Sequence, residues 1–573
     1  MYVEIIPNRS SPPAILLRQS TREGEKIRKT TLANLSHLTI EQARALQAVF
    51  RGETLAAPGA AIEKLSDRQH GAVEAVRITM RRLGLDSLID PRPSRQRNLV
   101  LAMVAARIVM PRSKLATARS WGTTTLPQEM GVAGATEKDL YAAMDWLATR
   151  QESIEERLAA RHLKEGGMVL YDLSSSYFEG EACELAKRGY SRDGCPGTLQ
   201  VNYGLLTDDE GRPVALSVFS GNVADSKTFM AQVKKVQTTF KLKEMVIVGD
   251  RGMITKAHVT EMSQMEGVDW ITALKSGAIR ALVEDTSIKM ELFDKMNLFE
   301  ITHPDYPGER LVVCRNTELA KRRAHKRAEL IEATRKKLDE VRERVGNGKP
   351  RGKAAIGVAV GKIVNKYKMA KHFVLKIESR AFSYELDQAN IDDEARLDGI
   401  YVVRTSVRKE KVSPDDTVRN YKRLTRVERA FRCYKTVDLK ARPIHHYAAP
   451  RVSAHLFLCM LAYYVEWHMQ RAWRGLLFSD ETLDEHRLDR DPVAPAKPSE
   501  SAKRKAKTKK TPDGQPVHSF TTLLGELACV VRSTCRAPAL GKSAPTFEFD
   551  TTPSVLQRQA LDLVRALPVY PVS

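Results

Sequence analysis

The sequence predicts an α/β protein built on a mixed sheet. A mainly helical region with a small β-hairpin precedes that sheet, and an insertion interrupts it. Three observations lead to this class. Strand-like apolar runs follow one another at Met168–Asp172, Val201–Leu206 and Pro213–Phe219. Helical periods at Lys227–Phe240 and Thr255–Met265 then alternate with runs at Met245–Asp250 and Trp270–Leu274. Adjacent strands followed by helix–strand alternation require both antiparallel and parallel neighbours in one sheet. Ahead of Gly166-Gly167, apolar residues instead recur three and four apart, as in Glu74–Leu83, Asn98–Met110 and Leu140–Leu163, the period of amphipathic helices.

Taken in order, residues 1–163 hold the hairpin and the helical region. Ala14–Arg18 and Lys26–Thr30 alternate around Gly24, and their faces carry Arg18, Arg22, Lys26, Arg28 and Lys29. Residues 164–275 are the first part of the sheet domain. Residues 276–396 break its rhythm with a charged helix, Thr317–Arg344, and a Gly/Lys stretch, Gly346–Lys353, and are read as the insertion. The second part, 397–475, resumes with a strand at Gly399–Val403 and helices at Asp415–Tyr434 and Pro450–Arg471. Residues 476–573 are read as a basic disordered linker, centred on 485–517, and a short closing helix, Thr521–Val531. The run Lys503–Lys510 lacks the apolar residues to bury a core.

The 573 residues carry a formal net charge of +22, which points to polyanionic partners, nucleic acid before anionic membrane. The longest apolar stretch, Leu99–Met110, contains Arg107 and is well short of the roughly 20 residues that cross a bilayer. Met1–Ser10 lacks the layout of a signal peptide. The 7 cysteines are scattered without CxxC spacing, so their spacing indicates neither a zinc site nor a disulfide framework. A reducing, cytoplasmic setting without membrane partners is expected.

Asp172 and Asp250 each close an apolar run. Ligands of open α/β sheets collect at the carboxyl ends of strands, and two carboxylates there can share Mg²⁺. Either aspartate alone reads more readily as a turn cap. A third carboxylate lies in Tyr421–Lys435, read as one helix. Tyr421, Glu428 and Lys435 are spaced by seven, and seven residues advance a helix by about 700°, stacking the three on one face with Arg432 close by. A solvated charged helix would show similar spacing, but the apolar Val427, Ala430 and Phe431 imply a packed one.

These segments resemble the DDE transposases of bacterial insertion sequences. The likeness rests on Asp172 in YDLSSSYFEG, Asp250 in VGDRGM and the Tyr421–Lys435 helix. It is nearest to the family numbered four, with its Tyr-x2-Arg-x3-Glu-x6-Lys signature, and within it to the branch numbered sixteen-thirty-four. YKRLTRVERAFRCYK…DLKARPIHH, the segment from Phe219 through Asp225, and Arg28–Leu35 are all similar to that branch. The signature's Arg falls on Leu424 here, and Arg423 and Arg426 are the nearby substitutes, neither on the face of Glu428.

The resemblance implies a ribonuclease H-like fold in which Asp172, Asp250 and Glu428 are catalytic and metal-binding. It implies two Mg²⁺ ions, with Mn²⁺ as a substitute, and two-metal phosphoryl transfer. Tyr421, Arg432 and Lys435 would hold phosphates. The implied partners are double-stranded DNA (terminal inverted repeats and target) and a second copy of the chain in a homodimeric synapse, with the protein cytoplasmic and nucleoid-associated. The helical region from Thr39 to Leu163, with the hairpin, is expected to bind DNA ends. Asp225 is expected to cap the helix that follows it, His445 and His446 to be structural, and Trp270 to be core. Two rival readings remain: a catalytically silent DNA-binding regulator derived from a transposase, and another Mg²⁺-dependent nuclease of the same fold.

Overall fold

The computed structural model describes all residues except 10, 54–61, 181, 484, 486–489, 538–544 and 571–573. The chain forms two compact units, one made of Met1–Gly71, Gly122–Thr125 and Leu527–Ser554, the other of Ala72–Trp121, Leu126–Glu526 and Val555–Ser573.

In the first unit the expected hairpin is longer than its sequence signal. Ala14–Glu23 pairs with Lys26–Asn34, and Tyr2–Ile6 adds a third antiparallel strand. Gly24 takes φ +65° in the two-residue turn, a conformation that glycine adopts at little cost. The outer strand Lys26–Asn34 is almost wholly exposed. Helix Ile40–Phe50 starts at a capping box between Thr39 and Gln42 and buries Ala43 against Val3 and Ile15. A second sheet joins Glu63–Gln69, Val531–Arg536 and Thr546–Asp550.

The second unit is a mixed α/β structure around a large sheet. Its centre runs in the order Val268–Ala273, Met245–Gly249, Met168–Tyr177, Leu199–Asp208, Pro213–Ser220. Met168–Tyr177, Met245–Gly249 and Val268–Ala273 are parallel; Leu199–Asp208 and Pro213–Ser220 add on antiparallel. Helices Asp225–Thr238 and Lys256–Met262 cover one face, burying Phe229, Val233, Val236 and Met262 against Tyr171, Ile247 and Trp270. Trp270 thus lies in the core, 4% exposed. Helix Ala449–Trp473 is apolar on all sides and buried along most of its length, as expected of a helix surrounded by other elements. Helices Arg95–Val109 and Glu137–Ala148 pack against it. No helix among the described residues is long and apolar enough to cross a membrane.

Three sequence boundaries move. The helices from Gly71 to His162 do not form a domain with the hairpin; apart from 122–125, residues 72–163 belong to the sheet unit, because their apolar faces find partners in Ala449–Trp473 and the sheet. The insertion is smaller than 276–396. Arg310–Arg315 and Leu298–Ile301 extend the central sheet, the first pairing onto Ile400–Thr405, whose free edge it satisfies, and the second onto Arg310–Arg315. What stands apart is helix Thr317–Gly346, helix Lys353–Tyr367 and the hairpin Phe373–Ile377/Phe382–Leu386, with their own core at Leu338, Ile356, Val360 and Phe373.

The third boundary is the basic linker. Its residues 486–489 lie outside the described residues, but its lysine run forms a helix, Glu500–Thr508. Lys505, 1% exposed, donates to the carbonyls of Arg474 and Leu477 and to Glu481. A lysine whose donors are all satisfied can be buried, and composition does not reveal such partners. Further elements follow where one helix was expected: Phe520–Ala528, the two strands at 531–536 and 546–550, and Val555–Arg565.

Replacing Lys505 by Met should release Glu500–Thr508, seen as faster amide hydrogen exchange confined to that helix; unchanged protection would mean the helix is held by other contacts. A second test concerns the sheet. A Cβ on Gly204 would lie 2.1 Å from Tyr171 Oη, so Gly204→Ala should destabilise the protein by about 1–3 kcal/mol in chemical denaturation.

Candidate active site

Successive side chains of a strand point to opposite faces. In Met168–Tyr177, Tyr171 and Leu173 enter the core beneath helix Asp225–Thr238. Tyr171 is fixed there by its hydroxyl, which donates to Thr228 Oγ1 (3.0 Å). Asp172 therefore projects from the other face, where helix Leu424–Arg432 packs across the strand. Asp172 does not end its strand, as its apolar run suggested. The strand continues to Tyr177, because Gln200–Gly204 pairs with it beyond the aspartate.

Asp250 does follow a strand end. Tyr171 is the parallel neighbour of Gly249, so Asp172 and Asp250 come next on adjacent strands at one level. Burial of Met253 and Ile254, whose amides both turn back to the Asp250 carbonyl, closes the turn and leaves the Asp250 side chain exposed.

Glu428 comes from helix Leu424–Arg432, which buries Leu424, Val427, Ala430 and Phe431 and leaves Glu428 exposed. Phe431 meets the Tyr203 ring edge-on at 5.8 Å. The helix start is docked by Asp209, which pairs with Arg423 and accepts from Arg426 Nη1 at its carbonyl (2.6 Å). Arg423 and Arg426 are thus tied to Asp209.

Asp250 and Glu428 both act on Asp172. Asp172, half-buried, is pushed up to about 7, first by burial and then by the charges of Asp250 and Glu428; the Leu173 amide (2.8 Å) and Arg192 oppose the rise. Tyr421 donates to Asp250 Oδ1 (3.3 Å), and its own ionisation is pushed up by burial and by Asp250. A cluster of like charges of this kind could hold a divalent cation, and an all-oxygen donor set would suit Mg²⁺ or Mn²⁺.

The Tyr421–Lys435 segment is not one regular helix. Helix Pro414–Lys422 ends at a turn at Arg423, and Leu424–Arg432 runs into a π-helical turn, Cys433–Val437. The seven-residue stacking is therefore lost after Glu428. Arg432 is exposed, whereas Lys435 is buried and donates to Asp193 Oδ1 (3.0 Å), beside Arg442 at 2.7 Å from the same oxygen. Burial holds the Lys435 ammonium below its usual range despite that partner.

The structure thus gathers Asp172, Asp250, Glu428 and Tyr421, and turns Lys435 aside. It adds two residues that sequence reasoning passed over. Asp193 also accepts from the Tyr177 amide (3.1 Å). Arg192 pairs with Asp225 and is anchored by its own amide on Ser175 Oγ (3.1 Å). Adjacent opposite charges in the Gly/Pro-rich stretch Tyr190–Gly197 were the available signal. Asp225 is consequently not a cap: the cap position is Ala224, and Asp225 opens the helix with its carboxylate committed to Arg192. His446 packs against Tyr141 and His455, and burial pushes its imidazole down to about 3, so it is neutral.

The chain belongs to the family described as transposase DDE domain, which it matches over residues 176–465. That span takes in Asp250, Tyr421, Glu428, Arg432 and Lys435 and begins just after Asp172. Among solved structures, the chain is similar to a cryo-EM structure of a piggyBac transposase synaptic complex with hairpin DNA, with 8% identity over 80% of this chain and 76% of that one and a TM-score of 0.34. No curated protein matches.

The raised Asp172 carboxyl leads to a pH-dependent outcome. A carboxyl whose folded pKa exceeds its unfolded value loses stability for the metal-free protein as pH rises from about 4 to 7, and a bound cation, which needs the ionised form, reverses that loss. The rise in Tm caused by Mg²⁺ should therefore be larger at pH 8 than at pH 6, and Asp172→Asn should largely remove it. A rise independent of pH, or unchanged in the variant, would separate the metal from this cluster.

Proposed function

We propose that this protein is a DNA transposase of the ribonuclease H-like type that cleaves and joins transposon ends, with Asp172, Asp250 and Glu428 as its catalytic acids. The observation that carries the reading is the convergence of three carboxylates from three separate elements on one side of a mixed sheet. A protein that only bound DNA would have no use for so unfavourable a cluster. Membership of the DDE family supports the same reading. The strand order and the helices across the sheet suit a ribonuclease H-like fold, and the sequence motifs favour the bacterial insertion-sequence family numbered four, branch numbered sixteen-thirty-four.

Asp172, Asp250 and Glu428 would hold two Mg²⁺ ions, which supply activation of an attacking hydroxyl and stabilisation of the leaving oxygen. The chain's own contribution is positional. The paired strands set the spacing of the two aspartates. Asp209 holds the Glu428 helix through Arg423 and Arg426, and Tyr421 orients Asp250. Tyr421 and Arg432 face phosphates near the cut, and Lys435 joins them by exchanging Asp193 for a phosphate oxygen. The net charge of +22 and the exposed basic strand Lys26–Asn34 suit binding of double-stranded DNA ends and target. Two ends joined in one synapse imply a homodimer. The working compartment is the cytoplasm, at the nucleoid.

Purified protein incubated with the DNA ends of its own element should cut at the element's tips in Mg²⁺ and not in Ca²⁺. Asp172→Asn, Asp250→Asn and Glu428→Gln should each abolish cutting and leave end binding in gel shifts within about twofold. Cutting by any of these single variants would overturn the assignment of that residue. End binding without cutting by the unaltered protein would instead identify a regulator derived from a transposase.

A further inference from the structure

After Glu428 the helix passes into the π-helical turn Cys433–Val437, and the chain then folds back so that the amides of Asp438 and Leu439 both donate to the Cys433 carbonyl. This brings Asp438 beside Cys433 and against Glu466 of the long helix Ala449–Trp473. The sulfur of Cys433 and one carboxylate oxygen each of Asp438 and Glu466 all lie within 4.8 Å of one another.

Cys433 and Glu466 are buried, Glu466 completely, and Asp438 is half-buried. Among the described residues no N–H or hydroxyl donor reaches Glu466 Oε2, and its polar neighbour is the Asp438 carboxyl, an unusual setting for a fully buried carboxylate oxygen. The surrounding groups are donors that orient these atoms. Gln470 Nε2 donates to Glu466 Oε1 (2.6 Å) and reaches Cys433 Sγ (3.9 Å). Gln470 Oε1 in turn accepts from Arg429 Nη2 (3.3 Å), and Thr521 donates to Asp438 Oδ1 (3.1 Å). Outer hydrogen bonds that fix the lone pairs of inner ligands are a regular feature of metal sites.

We propose that Cys433, Asp438 and Glu466 form a second cation site, separate from the acids around Asp172, for a borderline-soft divalent ion such as Zn²⁺. A thiolate with two carboxylates suits Zn²⁺ and does not suit Mg²⁺. Three protein ligands leave a fourth position for water on the side where Asp438 is open to solvent. The electrostatics agree. Burial and the two carboxylates push the Cys433 thiol up to about 12, and burial and Asp438 hold the Glu466 carboxyl well above its usual range. A bound cation inverts that balance and allows all three to ionise. The ion would tie the end of the Glu428 helix to the long helix and so hold that helix in place. It touches no reacting atom.

The site can be read by cobalt substitution in the full-length protein. Metal-free protein titrated with Co²⁺ should develop a thiolate-to-cobalt charge-transfer band that saturates at one equivalent and is displaced by Zn²⁺. The band should be absent in Cys433→Ser, at least tenfold weaker in affinity in Glu466→Gln and Asp438→Asn, and unchanged in Asp250→Asn and in Cys195→Ser. Should Cys433→Ser fail to fold, Zn²⁺ should still slow alkylation of Cys433 in the unaltered chain, followed by mass spectrometry. Absence of the band in the unaltered protein, or an unchanged Co²⁺ affinity in Glu466→Gln, would overturn the proposal and leave Asp438 and Glu466 as a carboxyl pair sharing one proton.

Discussion

The parallel pairing of Met168–Tyr177 with Met245–Gly249 is the interaction on which the candidate site depends. It sets Asp172 and Asp250 at one level on neighbouring strands, with Glu428 across them. Like charges so arranged oppose folding unless they are protonated or neutralised. The surrounding structure holds them together regardless. Tyr171 is locked between Thr228 and Gly204 on the opposite face, so the strand cannot slip by one residue without taking Asp172 into the core. Asp209 clamps the helix that carries Glu428. Arg192 eases Asp172, and it is itself committed to Asp225.

The break at Arg423 and the π-helical turn at Cys433–Val437 govern what lies beside the acids. A regular helix through Tyr421–Lys435 would present tyrosine, glutamate and lysine in line. The two irregularities instead let Tyr421 reach Asp250 while Lys435 turns inward to Asp193. π-Helical turns occur often at functional sites because they re-aim side chains within an otherwise regular element. In this chain the same turn folds Asp438 back toward Cys433 and Glu466, so one local distortion shapes both the edge of the acid cluster and the polar cluster behind it.

The central sheet grows in two directions from its parallel core. One side adds Leu199–Asp208 and Pro213–Ser220. The other adds Ile400–Thr405, Arg310–Arg315 and Leu298–Ile301, all antiparallel. An exposed strand edge is a row of unsatisfied hydrogen-bonding groups, and residues that looked like part of an insertion satisfy it. Arg404 and Glu309, both buried, form a two-point ion pair between the end of Ile400–Thr405 and the loop before Arg310–Arg315, which keeps that addition in register.

The sequence by itself determined the class of fold, the strands that carry Asp172 and Asp250, and the packed helix that carries Glu428. Each of these is written in local periodicity, and periodicity is a property of neighbours in the chain. The core place of Trp270 was legible for the same reason. Only the tertiary structure decided that Asp172 lies within its strand, that Asp225 serves Arg192, that Lys435 faces Asp193, and that Cys433, Asp438 and Glu466 converge. It also decided that Lys503–Lys510 lies in an ordered segment, anchored by Lys505. The physical reason is common to all of them. A charged side chain goes where a partner far along the chain can satisfy it, and composition and spacing carry no record of that partner.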